Sequence, residues 1–339
     1  MAKIAVNGFG RIGRLFFREA FGHPDIEIVA INDLGNVENL AYLLKYDSVY
    51  RIYEREVEVQ DGNLVIDGQV IRFIQEKDPT ALPWGELGVD VVVESTGAFE
   101  SFEKAAAHTA AGAKRVVITA PAKDDDGAAG RTVLLGINEN EMGSVSITSN
   151  GSCTTNACSP IIAILSQNPG IEKALLNTTH AYTATQSLTD SAVRGNDFRR
   201  GRAGAQNIVP STTGAAISVT RAVKEMEGLF DGISVRVPSI TGSLADITFI
   251  SKRDTTPEEI NDILFEAASS EKWNDVLAVT DAPLVSSDII GAPYAAIVDT
   301  QFTKVVGGNL VKVLAWYDNE MGYVSTLLTH VLKSAESIK

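Results

Sequence analysis

The residues best placed to do chemistry lie in the stretch Ser149-Asn150-Gly151-Ser152-Cys153-Thr154-Thr155-Asn156. A strand-like apolar run (Val145, Ile147) precedes it, and apolar residues at helical spacing (Ile161, Ile162, Ile164, Leu165) follow it, which sets Cys153 where a strand turns into a helix. At a helix N-terminus, unpaired N–H groups and the positive end of the dipole favour a thiolate, the form that attacks carbonyl carbon. The hydroxyls of Ser152, Thr154 and Thr155 add donors for an anion. A packed, inert thiol fits the same stretch, so the rest of the chain decides. The next candidate is His180, at the end of the strand-like run 175–179. An imidazole can take the thiol proton and later move one at a substrate oxygen, although a buried histidine with one satisfied nitrogen also fits.

Residues 182–208 then form a long polar segment with little periodicity, which in a compact domain marks a functional or disordered loop. It carries Arg194, Arg199, Arg200 and Arg202, a positive cluster suited to gripping phosphate or to a solvated or intersubunit face. Ser211-Thr212-Thr213-Gly214 opens a helical run and offers a second set of anion donors. Arg236 lies inside the strand pattern Ile233-Ser234-Val235-Arg236-Val237, where a cation needs an anion nearby.

Stepping N-terminally, the apolar run Ile4-Ala5-Val6 feeds Gly8-Phe9-Gly10-Arg11-Ile12-Gly13, and Leu15, Phe16, Phe17 and Ala20 continue at helical spacing. This is GxGxxG between a strand and a helix. Gly8 allows the tight turn, Gly10 lets a pyrophosphate approach the backbone, and Gly13 lets the helix pack on the strand. Run 26–31 ends in Asn32-Asp33, and Asp33 stands 20 positions after Gly13. An acid there accepts bonds from ribose hydroxyls and repels a 2′-phosphate, which reads as NAD rather than NADP. Gly35 and Asn36 leave room for dual use. Two hairpins follow, turned by Asp61-Gly62 and Asp67-Gly68. Parallel winding resumes in Val91-Val92-Val93-Glu94 and Val116-Val117-Ile118, and the residues just past those strands, Thr96, Gly97 and Thr119, are cofactor-lining candidates. Asp124-Asp125-Asp126 reads as a solvated loop.

The later strand runs (247–250, 295–298, 311–316), with a helix from about Pro257 to Ala268 capped by Thr255-Thr256, fit a mainly antiparallel sheet with helices on one side. A last helix from about Met321 to Ser334 can return to the first domain. The expected fold class is therefore α/β, with a Rossmann dinucleotide-binding domain and an α+β catalytic domain. A chain of 339 residues, 45% hydrophobic and 21% charged, supports two domains. Its formal net charge of -14 argues against nucleic-acid partners. No run approaches the length of a membrane helix. Only two cysteines (Cys153, Cys158) and four histidines without paired ligand spacing are present, so no metal site and a reducing, cytoplasmic compartment are expected.

Taken in order, NGFGRIGR (7–14), LLKYDS (43–48), ESTG (94–97), SNGSCTTN (149–156), STTGAA (211–216), RVP (236–238) and WYDNEMGY (316–323) make the whole chain resemble the phosphorylating, glycolytic glyceraldehyde-3-phosphate dehydrogenases. The resemblance implies an NAD-binding Rossmann domain over 1–151, a catalytic domain over 152–319, and a terminal helix (320–339) packed back on the first. It implies Cys153 and His180 as the catalytic pair. It assigns substrate phosphate to Thr183 and Arg236, and attacking phosphate to Ser152, Thr154, Thr213, Gly214 and a loop arginine, Arg200 being favoured over Arg199 and Arg202. Arg11, Ile12, Asp33, Lys77, Thr119 and Asn319 would line the NAD site. Glyceraldehyde 3-phosphate, inorganic phosphate and a homotetramer are the implied partners.

The chain departs from that pattern in places. Ala157 and then Cys158 stand where the family commonly has its second cysteine, Gly151 replaces Ala, Ser239 replaces Thr, and Thr241-Gly242 replaces Asn-Val. Two other readings compete: an erythrose-4-phosphate dehydrogenase, which passes its thioester to water, and a non-catalytic NAD-binding protein with an idle site.

Overall fold

The computed structural model describes residues 1–193 and 195–338, so Arg194 of the cationic loop lies outside the described residues. The chain divides into two compact units, residues 1–151 with 324–339, and residues 152–323.

The first unit contains β1 (Ala2–Asn7), α1 (Arg11–Ala20), β2 (Ile26–Asn32), α2 (Val37–Lys45), β3 (Tyr46–Asp47), β4 (Arg51–Ile52), β5 (Val57–Gln60), β6 (Asn63–Ile66) and β7 (Gln69–Ile74). It continues with α3 (Trp84–Leu87), β8 (Val91–Glu94), α4 (Phe102–Ala110), β9 (Arg115–Ile118), β10 (Arg131–Thr132) and β11 (Ile147–Ser149). Nine strands form one sheet in the order β10-β11-β9-β8-β1-β2-β7-β6-β5. From β1 the chain winds to β2 on one side and later to β8 on the other, so the topological switch point lies between β1 and β8. All pairs from β10 to β7 are parallel. β5, β6 and β7 form the two expected hairpins. Their turns hold Asp61, Gly62, Asp67 and Gly68 all at positive φ, the signature of a type I′ turn. The central strands are buried on both faces, and Ala5, Val92, Val116 and Ile118 pack with Trp84 and Phe102. The acidic run 124–126 is no solvated loop. Asp124 accepts from the N–H groups of Phe102 and Glu103 at the start of α4, and Asp126 accepts from Thr132.

The second unit starts with α5 (Cys153–Gln167), then β12 (Ile171–Ala181), β13 (Val209–Thr212), α6 (Ala215–Ala222), β14 (Phe230–Val237) and β15 (Ser243–Ser251). α7 (Pro257–Ala268), β16 (Leu277–Thr280), β17 (Ala296–Val306) and β18 (Leu310–Tyr317) complete its sheet, ordered β13-β14-β12-β15-β18-β17-β16. Four of the six pairings are antiparallel; β12–β14 and β16–β17 are parallel. α7 begins as its sequence announces, with Thr256 accepting from Glu259 N–H and Pro257 at the first helical position. One face of the sheet is covered, whereas Leu175 on β12 and Ile233 on β14 stay exposed.

The last helix, α8 (Met321–Glu336), passes from the second unit's residues into the first's. Within the first unit, His330 Nε2 lies 2.7 Å from Thr148 Oγ1 and Nδ1 lies 3.1 Å from Asn150 Oδ1, which ties this helix to β11. No helix among the described residues is long and apolar enough to cross a membrane.

Candidate active site

Cys153 is the first residue of α5. Ser152 caps that helix, its Oγ accepting from Thr155 N–H at 3.0 Å and lying 2.8 Å from Thr155 Oγ1. Capping spends the Ser152 side chain on the Thr155 donor and leaves the Cys153 sulfur at the open end of the helix. His180 sits near the end of β12 with Nε2 3.4 Å from Cys153 Sγ. Its Nδ1 lies 2.7 Å from the Ala181 carbonyl. A carbonyl can only accept, so Nδ1 carries the proton and Nε2 turns a lone pair to the thiol. The sequence alternative of a merely packed histidine thus has one nitrogen satisfied by backbone and the other aimed at sulfur.

Arg236, on β14, is the register partner of His180 on β12. Its Nη1 donates to the same Ala181 carbonyl at 3.2 Å, which brings it within 3.0 Å of His180 Nδ1 as a second donor on one acceptor. Among the described residues Arg236 has no carboxylate partner, and its buried Nε has no hydrogen-bond partner. A buried guanidinium left in this state is a ready site for an incoming anion. Burial pushes the Cys153 thiol up, and the charge of Arg236 opposes that shift. Burial, reinforced by Arg236, lowers His180 to about 3. The resting pair is therefore neutral thiol and neutral imidazole. Burial thus opposes the thiolate that the helix terminus favours.

Tyr317 was not singled out from the sequence, yet its hydroxyl lies 2.9 Å from Thr154 Oγ1 and 2.7 Å from Thr178 Oγ1. Its ring meets that of His180 edge-on, with centroids 5.9 Å apart. It fixes the imidazole plane and engages the Thr154 hydroxyl that the anion assignment would use. The signal for it was the WYDNE run, where the aromatic ends the last strand of the sheet.

The anion candidates separate in space. Arg200 pairs with Asp197 at 2.9 Å and donates to Ser211 Oγ at 2.9 Å, and its charge is felt at both His180 and Arg236. Arg202 pairs with Asp190 at 2.7 Å in an exposed position, and Arg199 is exposed. Thr183 lies just beyond β12, its Oγ1 2.9 Å from Thr185 Oγ1. Thr213 Oγ1 accepts from Ala215 N–H, and Gly214 is the cap residue of α6 with no side-chain cap.

The candidate cofactor cradle belongs to the first unit. Gly8 has φ +95°, and a Cβ there would sit 2.6 Å from Thr96 N. A Cβ on Gly13 would meet Gly8 O at 2.1 Å, whereas one on Gly10 would project into open space. Gly10 is the N-cap of α1, where no side chain caps the helix and no acid stands in the first turn, an arrangement that suits an anion. Asp33 accepts from Phe9 N at 2.7 Å and Gly35 N at 2.8 Å, which anchors the acid against the glycine loop. Arg11 pairs with Asp47, Ile12 is half-buried beside it, and Lys77 is exposed beyond β7. Thr96 and Gly97 follow β8, and Thr119 donates through N and Oγ1 to the Glu94 carbonyl, both at 3.0 Å. These features fit a dinucleotide: a close-approach glycine, an uncapped helix and an anchored acid.

In the second unit, Asn319 Oδ1 accepts from Ser243 Oγ (2.9 Å), Gly242 N (3.1 Å) and Thr241 Oγ1 (3.3 Å). The departure Thr241-Gly242 therefore holds Asn319 in place. Gly242 is at φ +86°, and any Cβ there would meet Ser286 O at 2.4 Å. Among the described residues no group of three or more His, Cys, Asp or Glu is arranged to hold a metal ion.

Two family models match the chain. Residues 2–102 match the NAD binding domain of glyceraldehyde 3-phosphate dehydrogenase, and residues 152–319 match its C-terminal domain. The glyceraldehyde-3-phosphate dehydrogenase of Clostridium pasteurianum is 44% identical over 332 residues, 97% of each chain. That of Thermotoga maritima is 47% identical over 326 residues, 95% of this chain and 96% of its own. That of Geobacillus stearothermophilus is 44% identical over 323 residues, 95% of this chain and 94% of its own. With both halves matched in order and the thiol–imidazole pair in place, the chain belongs to the glyceraldehyde 3-phosphate dehydrogenase family.

Proposed function

We propose that this chain catalyses the NAD-dependent oxidation of glyceraldehyde 3-phosphate with inorganic phosphate as acyl acceptor, giving 1,3-bisphosphoglycerate. The observation that carries the reading is the 3.4 Å approach of Cys153 Sγ to an unprotonated His180 Nε2 beside the buried guanidinium of Arg236. His180 takes the thiol proton as sulfur attacks the aldehyde carbon, and the proton passes to the carbonyl oxygen to give a hemithioacetal on Cys153. His180 then accepts that hydroxyl proton as the carbon loses hydride and becomes a thioester. The chemistry NAD supplies when bound is acceptance of that hydride. Phosphate oxygen attacks the thioester, the C–S bond breaks, and the thiolate leaves to regain its proton.

Arg236 and Thr183 are the residues for the substrate phosphate, and Ser152, Thr154, Thr213, Gly214 and Arg200 those for attacking phosphate. Arg200 is preferred within the loop because its charge reaches His180 and Arg236. For Thr154 the backbone N–H is the donor offered, since its hydroxyl serves Tyr317. Gly8, Gly10, Arg11, Ile12, Gly13, Asp33, Lys77, Thr96, Gly97 and Thr119 would hold NAD. Asn319 joins them from the resemblance, with Nδ2 as the side-chain donor that its Oδ1 anchors leave available. The exposed apolar residues of the β12–β14 sheet face support assembly into a homotetramer, and the two unpaired cysteines support a cytoplasmic setting.

The test is NADH formation from NAD and glyceraldehyde 3-phosphate, with and without inorganic phosphate, for the native chain and Cys153→Ala. Sustained turnover that needs phosphate and vanishes in the variant is expected. Turnover indifferent to phosphate would instead indicate hydrolysis of the thioester and point to erythrose 4-phosphate as the next substrate. No turnover from folded protein that binds NAD would indicate a binding protein.

A further inference from the structure

The last residues of β1 and β8, Asn7 and Glu94, are register partners and flank the switch point. Glu94 is 2% exposed, and none of the mechanism above uses it. Its Oε2 accepts from Asn7 Nδ2 at 2.5 Å and lies 2.9 Å from His108 Nε2. Its Oε1 accepts from Thr96 N at 2.9 Å and from Thr96 Oγ1. The protonation of His108, itself fully buried, follows from its other neighbour. Trp84 Nε1 lies 3.0 Å from His108 Nδ1, and an indole can only donate. Nδ1 is therefore the acceptor, the ring is neutral, and its single proton is on Nε2, pointing at Glu94. Asn7 Nδ2 and His108 Nε2 stand 3.3 Å apart because both donate to one oxygen. The Asn7 orientation is fixed in turn, since its Oδ1 accepts from Asn32 Nδ2 at 2.7 Å.

Four donors thus converge on Glu94, and among the described residues no Lys or Arg pairs with it. Such a set solvates a carboxylate anion and leaves its charge uncompensated in a low-dielectric interior. Ligands of open α/β sheets bind in the crevice outside the carboxyl ends of the strands at the switch point, and this charge forms the floor of that crevice. The two oxidation states of a nicotinamide dinucleotide differ by one positive charge on the ring. We infer that Glu94 is a redox-selective residue of the cofactor site: its buried, uncompensated charge favours the oxidised dinucleotide over the reduced one. The inference rests on the NAD reading above. Glu94 also fixes the surrounding loops, through Thr96 on its carboxylate and Thr119 on its carbonyl. A purely structural role through those bonds would weaken both cofactor forms alike, whereas a charge changes their ratio.

The experiment is direct titration of NAD+ and NADH, by calorimetry or protein fluorescence, on the native chain, Glu94→Gln and Glu94→Asp. The ratio Kd(NAD+)/Kd(NADH) is expected to rise about three- to tenfold in Glu94→Gln, the range one unit charge exerts across a partly buried site. It is expected to stay within about twofold of native in Glu94→Asp, which keeps the charge and shortens the arm. An unchanged ratio in folded Glu94→Gln overturns the inference and leaves the NAD reading intact. A native chain that binds neither form overturns the NAD reading, and the inference with it. Should Glu94→Gln not fold, the native ratio decides: tighter binding of NAD+ than of NADH supports the inference, and the reverse order overturns it.

Discussion

The chemistry rests on a pair that is neutral at rest, and the two members depend on Arg236 in a way that can be measured. The guanidinium pulls the Cys153 thiol down against burial and pushes His180 further down in the same direction as burial. Arg236→Gln removes both effects. The midpoint of Cys153 alkylation by iodoacetamide against pH should move to higher pH, and KM for glyceraldehyde 3-phosphate should rise by at least about tenfold, the cost of losing a charge-assisted contact. His180→Asn keeps a side chain that can bond the Ala181 carbonyl but has no titratable nitrogen. The expected loss in kcat is about 10²- to 10⁴-fold with little change in NAD affinity, the usual contribution of a positioned base. Loss of NAD binding in that variant would show that His180 acts on structure instead. Tyr317→Phe probes the neighbour: it leaves the ring against His180 but strands the Thr154 and Thr178 hydroxyls, so thermal stability should fall by about 1–3 kcal/mol.

At the scale of elements, the close approach of the glycine loop to α1 sets the cofactor cradle. Gly13→Ala places a methyl 2.1 Å from the Gly8 carbonyl oxygen, a backbone atom that cannot swing aside as a flexible side chain would, with Ser95 Oγ 3.1 Å away. NAD affinity should drop at least about tenfold while Cys153 alkylation, a property of the other unit, stays near native. Equal loss of both would mean that the variant unfolds globally. These elements were legible because their signals are local. GxGxxG, the two Asp-Gly turns, the Thr256 cap of α7 and the SCTT turn each announce themselves within a few residues. What escaped was non-local. Nothing near Glu94 in the chain reveals that His108 from α4 donates to it while Trp84 from α3 holds the far side of that imidazole, and nothing near Asp124 reveals that it caps α4 from 22 residues away. Short β13 and β16 lacked enough alternation to show against their surroundings, and the parallel β12–β14 pairing depends on a crossover that no spacing encodes.

For the whole molecule, buried neutral histidines predict the acid limit of stability. His330 is lowered to about 3 by burial, against 6.5 for an exposed imidazole. Below pH 6.5 the unfolded chain takes up a proton that the folded chain refuses, so stability falls with decreasing pH until about pH 3. The slope contributed by one such group is about 1.4 kcal/mol per pH unit. Denaturant titrations of the native chain at pH 7.5 and 5.0 should differ by more than those of His330→Leu, in which this group is gone; equal differences would remove His330 from the account. Sedimentation should show a tetramer, and a monomer at micromolar concentration would overturn that part of the proposal. The position of His330 also has a consequence for synthesis. The helix that completes the first unit is made only after the other unit, some 170 residues of which separate it from β11. At ribosomal speeds of 5–20 residues per second that gap lasts roughly 10–30 s. Through that interval the seat of Val324, Leu327, His330 and Val331, all buried in the finished protein, stands uncovered on the nascent chain. The first unit thus emerges before the second and is completed after it, and for that time its open seat is a surface for chaperones to hold.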